Sequence, residues 1–121
     1  MNRILIVEDD RDIAGNLLLL LKKEGFTAVA VGTREESLEQ IQRESFDLVL
    51  LDLMLPDGNG YSVCTAIKRE ADIPVIFLTS RDDPESVKRV LSLKPEGYLL
   101  KYLKPADIRC RIDEFFMKLK V

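Results

Sequence analysis

The chain has 121 residues, 46% of them hydrophobic and 32% charged, with a formal net charge of −3 at pH 7; this is one globular domain with a real core and no basic surplus for a general nucleic-acid-binding surface. It contains no histidine, which removes Ser-His-Asp and Cys-His catalysis, most zinc sites and any phosphohistidine role. Its two cysteines, Cys64 and Cys110, lack CxxC spacing and read as reduced, buried or half-buried helix residues rather than a disulfide.

The elements follow in chain order as short apolar runs alternating with amphipathic stretches. "RILIV" (3–7) is a buried strand. "DIAGNLLLLLKKEGF" (12–26) places Ile13, Leu17, Leu20 and Leu21 at helical spacing, with Asp10 as N-cap and Gly25 as a C-terminal stop. "TAVAV" (27–31) is the second strand. "TREESLEQIQRE" (33–44) begins with the capping-box pattern of Thr33 and Glu36. "FDLVLLD" (46–52) is the third strand, and "GYSVCTAIKRE" (60–70) a short helix after the Asp57-Gly58-Asn59-Gly60 turn. "IPVIFLT" (73–79) is the fourth strand, with Pro74 suited to its start. "DPESVKRVLSL" (83–93) predicts a helix with Pro84 in its first turn, "GYLL" (97–100) a fifth strand, and "PADIRCRIDEFFMKLK" (105–120) a last helix with Ile108, Ile112, Phe115, Phe116 and Leu119 on one stripe. The longest unbroken apolar run, Leu17 to Leu21, is far short of the ~20 residues of a membrane span. Met1-Asn2-Arg3 leads straight into the first strand with no visible signal peptide, so a cytoplasmic domain without membrane contact is expected.

Five strand–helix units in succession, with strands lacking polar alternation, predict an α/β domain: one open parallel sheet covered by helices on both faces. Ligands of such sheets bind beyond the carboxyl ends of the strands. The residues that follow the runs there are Glu8-Asp9-Asp10, Asp52, Thr79-Ser80 and Lys101. Clustered acids repel one another unless a cation neutralises them, and the candidates are the Lys101 ammonium and a divalent ion. Oxygen ligands without His or Cys suit Mg²⁺ or Mn²⁺. A carboxylate so flanked can attack phosphorus and form an acyl phosphate, with Asp9, Thr79 and Lys101 supplying a metal ligand, a hydroxyl and a cation for the phosphoryl oxygens.

The segments "ILIVEDD", "LVLLDLMLPDGNG", "IPVIFLTSRDD" and "GYLLK" resemble, in order and spacing, the receiver (CheY-like) domain of two-component response regulators. The resemblance spans essentially all of residues 1–121. It implies a doubly wound (βα)5 fold with flavodoxin-like strand order 2-1-3-4-5. It implies Asp52 as phosphoacceptor, fed by a histidine kinase or phosphotransfer protein. Asp9 and Asp52 would be direct Mg²⁺ ligands, with the Met54 backbone carbonyl beside them and Glu8 acting through water. Thr79 and Lys101 would hold phosphoryl oxygens. Tyr98 matches the switch aromatic that moves with the threonine, and Met54 and Arg81 sit where acyl-phosphate lifetime is tuned. The last-helix face would carry an output domain or target protein. Such a domain catalyses only its own phosphorylation and dephosphorylation, and is not otherwise an enzyme.

Three positions depart from the family pattern. Lys101 is followed by Tyr102, where Lys-Pro with a cis peptide is usual; a Lys-Pro occurs instead at Lys104-Pro105. A cis bond before a non-proline costs roughly 3–4 kcal/mol, so the loop after Lys101 is trans and differently routed, or strained. Lys101 remains the choice because it ends "GYLL" at the usual interval after Thr79. Lys94-Pro95 replaces a common Gly-Ala pair, and Ser80 replaces the more usual Ala. Two other functions compete. A haloacid-dehalogenase-like phosphohydrolase needs a second Asp two residues after the nucleophile, where this chain has Met54. A pseudo-receiver, used only for phosphorylation-independent docking, is kept open by the missing Lys-Pro.

Overall fold

The computed structural model describes residues 2–79, 85, 88, 92, 97–101 and 104–119. Of the expected helix over 83–93 only Glu85, Lys88 and Ser92 are described, Glu85 and Lys88 being helical and Ser92 N donating to Lys88 O at 3.1 Å; Ser80, Arg81, Lys94-Pro95 and the peptide after Lys101 lie outside the described residues.

Five strands, β1 (Arg3–Val7), β2 (Thr27–Val31), β3 (Leu48–Asp52), β4 (Val75–Thr79) and β5 (Gly97–Leu100), form one sheet in the order 2-1-3-4-5. Every neighbouring pair is parallel. The helices are α1 (Arg11–Lys23), α2 (Arg34–Arg43), α3 (Gly60–Glu70) and a C-terminal helix (Pro105–Leu119).

The side-chain period of two sorts the strands between two apolar layers. Leu5, Val7, Val49, Leu51, Val75 and Phe77 face one layer, which Val63, Cys64 and Ile67 of α3 and Ile41 of α2 complete. Ile4, Ile6, Leu48, Leu50, Ile76 and Leu78 face the other, against Leu17 and Leu21 of α1 and Ile108, Ile112 and Phe116 of the C-terminal helix. Both faces are therefore sealed, which is why the strand sequences are apolar without alternation.

Local chemistry sets the ends. Asp10 caps α1, its carboxylate accepting from Asp12 N and Ile13 N, and Gly25 takes φ +89° just beyond the helix. Helix α1 ends at Lys23, just before the expected stop at Gly25, where the backbone turns. Thr33 caps α2 by accepting from Glu36 N, and its hydroxyl donates to the Glu36 carboxylate. The third and fourth strands start later than expected. The Asp47 carboxylate accepts from Arg3 N at 2.7 Å, and Pro74 has no N–H for a ladder, although its carbonyl accepts from Val49 N. Cys64 is buried as expected, but Cys110 is exposed. It lies two positions from both Ile108 and Ile112, about 200° around the helix from the buried stripe. Neither Cys64 nor Cys110 is in a disulfide.

After β3 the chain forms an antiparallel two-residue ladder, with Met54–Leu55 paired to Gly58–Asn59. This extends the segment read from sequence as a simple turn. No helix among the described residues is long and apolar enough to cross a membrane.

Candidate functional site

The parallel register brings the strand ends level. Val7 lies between Val31 and Leu51, Asp52 pairs with Leu78, and Thr79 with Leu100. The next residues of β1 and β5, Glu8 and Lys101, therefore emerge at the rim that Asp52 reaches. Two backbone bonds hold this rim: Glu8 N donates to Val31 O at 2.9 Å and Lys101 N to Thr79 O at 2.8 Å.

Asp52 is only 2% exposed, as are Glu8 and Thr79. The Lys101 ammonium lies 2.9 Å from Asp52 Oδ2 and 2.7 Å from Glu8 Oε1. It makes a hydrogen bond to Asp52, whereas Glu8 Oε1 has the ion pair without a well-aligned hydrogen bond. Glu8 Oε2 accepts from Asp10 N at 3.2 Å. Burial and the adjoining Asp52 push the Glu8 carboxyl up to about 7, against the pull of Lys101. Burial works against the Lys101 charge, but bonding to Glu8 and Asp52 outweighs it and raises the ammonium above its ordinary pKa.

One carboxylate oxygen each from Glu8, Asp9 and Asp52 lies within 4.8 Å of the others, with Asp9 on the exposed side. Three hard oxygen donors, two of them on buried carboxyls, repel one another and suit a small divalent cation. Four of the residues singled out from sequence thus converge, Glu8, Asp9, Asp52 and Lys101, and Thr79 ends β4 at the same edge, buried, with its carbonyl bonded to Lys101 N. Met54 begins the ladder two residues past Asp52. Tyr98 stands beside Phe77 in β5, half-buried against the α2–α3 layer, short of the rim.

Gly60 packs against the backbone behind Asp52. A Cβ there would lie 2.4 Å from the Asp52 carbonyl oxygen and 2.8 Å from Leu53 Cα, and Gly60 N donates to Leu53 O at 2.8 Å. Sequence reasoning assigned Asp57 to turn chemistry only. Its carboxylate also accepts from Arg34 N and Glu35 N of α2, contacts separated by 23 and 22 residues along the chain. The acidic residue next to a glycine was visible; its distant partners were not.

Comparison with known proteins places this arrangement. Residues 4–113 match the family described as the response regulator receiver domain. The DNA-binding response regulator MtrA of Mycobacterium tuberculosis is 36% identical over 110 residues, 91% of this chain and 48% of that protein. The sensory transduction protein RegX3 of Mycolicibacterium smegmatis is 38% identical over 112 residues, 93% of this chain and 49% of its own. The chain spans about half the length of these relatives. Among solved structures, a two-component response regulator from Clostridium difficile superposes with a TM-score of 0.94 over 100% of both chains at 23% identity, a likeness of fold. The BeF3-activated N-terminal receiver domain of Klebsiella pneumoniae RstA superposes with a TM-score of 0.87 at 32% identity, covering 94% of this chain and 97% of that one.

Proposed function

The chain belongs to the response regulator receiver domain family of two-component systems, and from that premise we propose that it is a phosphoacceptor whose Asp52 takes a phosphoryl group from a histidine kinase or phosphotransfer protein. The observation that carries this reading is the convergence of Glu8, Asp9 and Asp52 oxygens within 4.8 Å, with the Lys101 ammonium 2.9 Å from Asp52.

The family generally binds Mg²⁺ at an acidic pocket, and here Asp9, Asp52 and the Met54 carbonyl would hold it directly, with Glu8 through water. When bound, the ion supplies positive charge that offsets the acids and orients the phosphoryl oxygens. The chain's own residues do the rest. An Asp52 carboxylate oxygen attacks phosphorus in line. The new O–P bond forms as the bond from phosphorus to the donor's nitrogen or oxygen breaks, and the leaving group departs with the electron pair. The Lys101 ammonium, already beside Oδ2, pairs with a phosphoryl oxygen, and the Thr79 hydroxyl donates to another. The near-complete burial of Asp52 keeps bulk water from diluting these charges.

The added charge and acceptor oxygens draw on Thr79 and Lys101 and shift a two-state equilibrium in which Tyr98 follows the threonine. The changed surface would include β5 and the C-terminal helix, and would act on an output domain or target. By this reading the whole chain is one receiver domain with no activity on other substrates and no direct hold on nucleic acid. Incubation with a small-molecule phosphodonor and Mg²⁺ should add one phosphoryl group, stable in acid and lost to hydroxylamine as an acyl phosphate. Asp52→Asn should remain unlabelled; equal labelling of that variant refutes the assignment.

A further inference from the structure

The N-terminus of α2 is closed by a residue from another element. A helix leaves its first four N–H groups without intrahelical acceptors. In α2, Ser37 N and Glu36 N donate to the carbonyl and hydroxyl of Thr33, each at 3.1 Å. Arg34 N and Glu35 N donate to Asp57 Oδ1 at 2.7 Å and Oδ2 at 3.1 Å. The Ser37 bond is the first of the helical ladder; of the N–H groups before it, Glu36 N is met by the Thr33 hydroxyl, and Arg34 N and Glu35 N depend on the loop that follows the phosphoacceptor strand.

That loop is held from both sides. At its tip Gly58 lies so close to α2 that a Cβ would meet Arg34 Cδ at 3.3 Å. At its base Gly60 abuts the Asp52 carbonyl and bonds Leu53 O. Between them runs the ladder that begins with Met54. The Arg34 N–H, and then the Glu35 N–H, hold the Asp57 carboxyl below its usual pKa, so it is a charged, two-oxygen acceptor at neutral pH.

We propose that Asp57 is a positioning residue for the metal site: by clamping the 53–60 segment to α2 it fixes Met54, whose carbonyl the proposed function makes a metal ligand beside Asp52. This rests on the phosphoacceptor reading above. The residue touches neither ion nor phosphoryl group and acts through the loop.

The test is a Mg²⁺ titration of the isotope-labelled full chain, with affinity read from the amide signals of Asp52 and Leu53. Asp57→Ala should weaken Mg²⁺ binding about tenfold, at the lower end of what supporting residues around metal ligands contribute. Asp57→Asn keeps one acceptor oxygen and should fall between the two. Asp47→Ala is the control for lost stability, because Asp47 makes the same kind of carboxylate-to-amide bond to Arg3 N at the opposite end of the sheet. It should leave Mg²⁺ affinity within about twofold of the parent. Unchanged affinity in Asp57→Ala, or equal weakening in Asp47→Ala, overturns the proposal. If the unmodified chain shows no Mg²⁺ response at Asp52 and Leu53, the phosphoacceptor reading fails and this one with it.

Discussion

Replacing Lys101 by Met keeps the aliphatic stem and removes the charge, which isolates what the ammonium does at the rim. The Lys101 side chain is 13% exposed, and its two partners are more buried still. Without it, Glu8 and Asp52 face one another in a site that water barely reaches. Breaking a buried pair by removing one partner costs about 3–5 kcal/mol. A domain of this size has a total stability of roughly 5–15 kcal/mol, so the variant should lose a substantial part of it at pH 7.5 without Mg²⁺. The melting temperature should fall on the order of 10–20 °C.

The sign with pH follows from the two carboxyls. Glu8 has its folded pKa raised to about 7 from 4.5, so its contribution to stability is complete below 4.5 and is lost as pH rises through 7. Lys101 lowers that value in the parent; its loss lifts Glu8 further, and at pH 5.5 the carboxyl of the variant carries a proton. The difference between variant and parent should therefore shrink at pH 5.5, by at most about 1 kcal/mol, because Glu8 of the parent also takes up most of its proton between pH 7.5 and 5.5. Mg²⁺ at pH 7.5 should narrow it as well. Urea unfolding of both proteins at pH 5.5 and 7.5, with and without Mg²⁺, measures all of this. A variant as stable as its parent at pH 7.5 without Mg²⁺, or a difference independent of pH, would refute the reasoning.

Gly60→Ala must move either the Asp52 carbonyl or the start of α3, since its Cβ would lie 2.4 Å from that oxygen; a destabilisation of about 1–3 kcal/mol in urea is expected, together with slower phosphodonor labelling. Ile112→Ala removes a side chain that is 0% exposed beneath the C-terminal helix and should cost about 2–5 kcal/mol in urea, with Mg²⁺ affinity per folded molecule unchanged. Acid should release α2 from its remote cap: Asp57 has a lowered folded pKa, so its contribution is present above its unfolded value of 3.8 and disappears as pH falls below it. In an NMR titration, the Arg34 and Glu35 amides should shift together with the Asp57 carboxyl as that happens.

The sheet was legible because each strand is sealed on both faces, so "RILIV", "TAVAV" and "GYLL" correspond residue for residue to β1, β2 and β5. The rim was legible for a related reason: parallel strands of similar length end level, so a polar residue after each apolar run must arrive at a shared edge. Strand beginnings were less clear. Phe46 is apolar and buried, but Asp47 spends its carboxylate on Arg3 N, and the ladder starts one residue later. Cys110 was assigned by residue type, whereas exposure follows position around the helix. The Asp57–α2 clamp joins residues more than 20 apart, and no local pattern encodes such a pairing. Neither does periodicity reveal that Gly60 is required by the backbone of Asp52 rather than by a turn.

The 2.8 Å bond from Lys101 N to the Thr79 carbonyl ties together, through one peptide group, the residue that pairs with Asp52 and the end of the neighbouring strand. Neither can be displaced along the sheet without stretching or tilting that carbonyl. A carbon-isotope label placed there would give an infrared band that senses the hydroxyl side and the ammonium side of the rim at once. It offers a single-oscillator reporter that leaves every side chain intact.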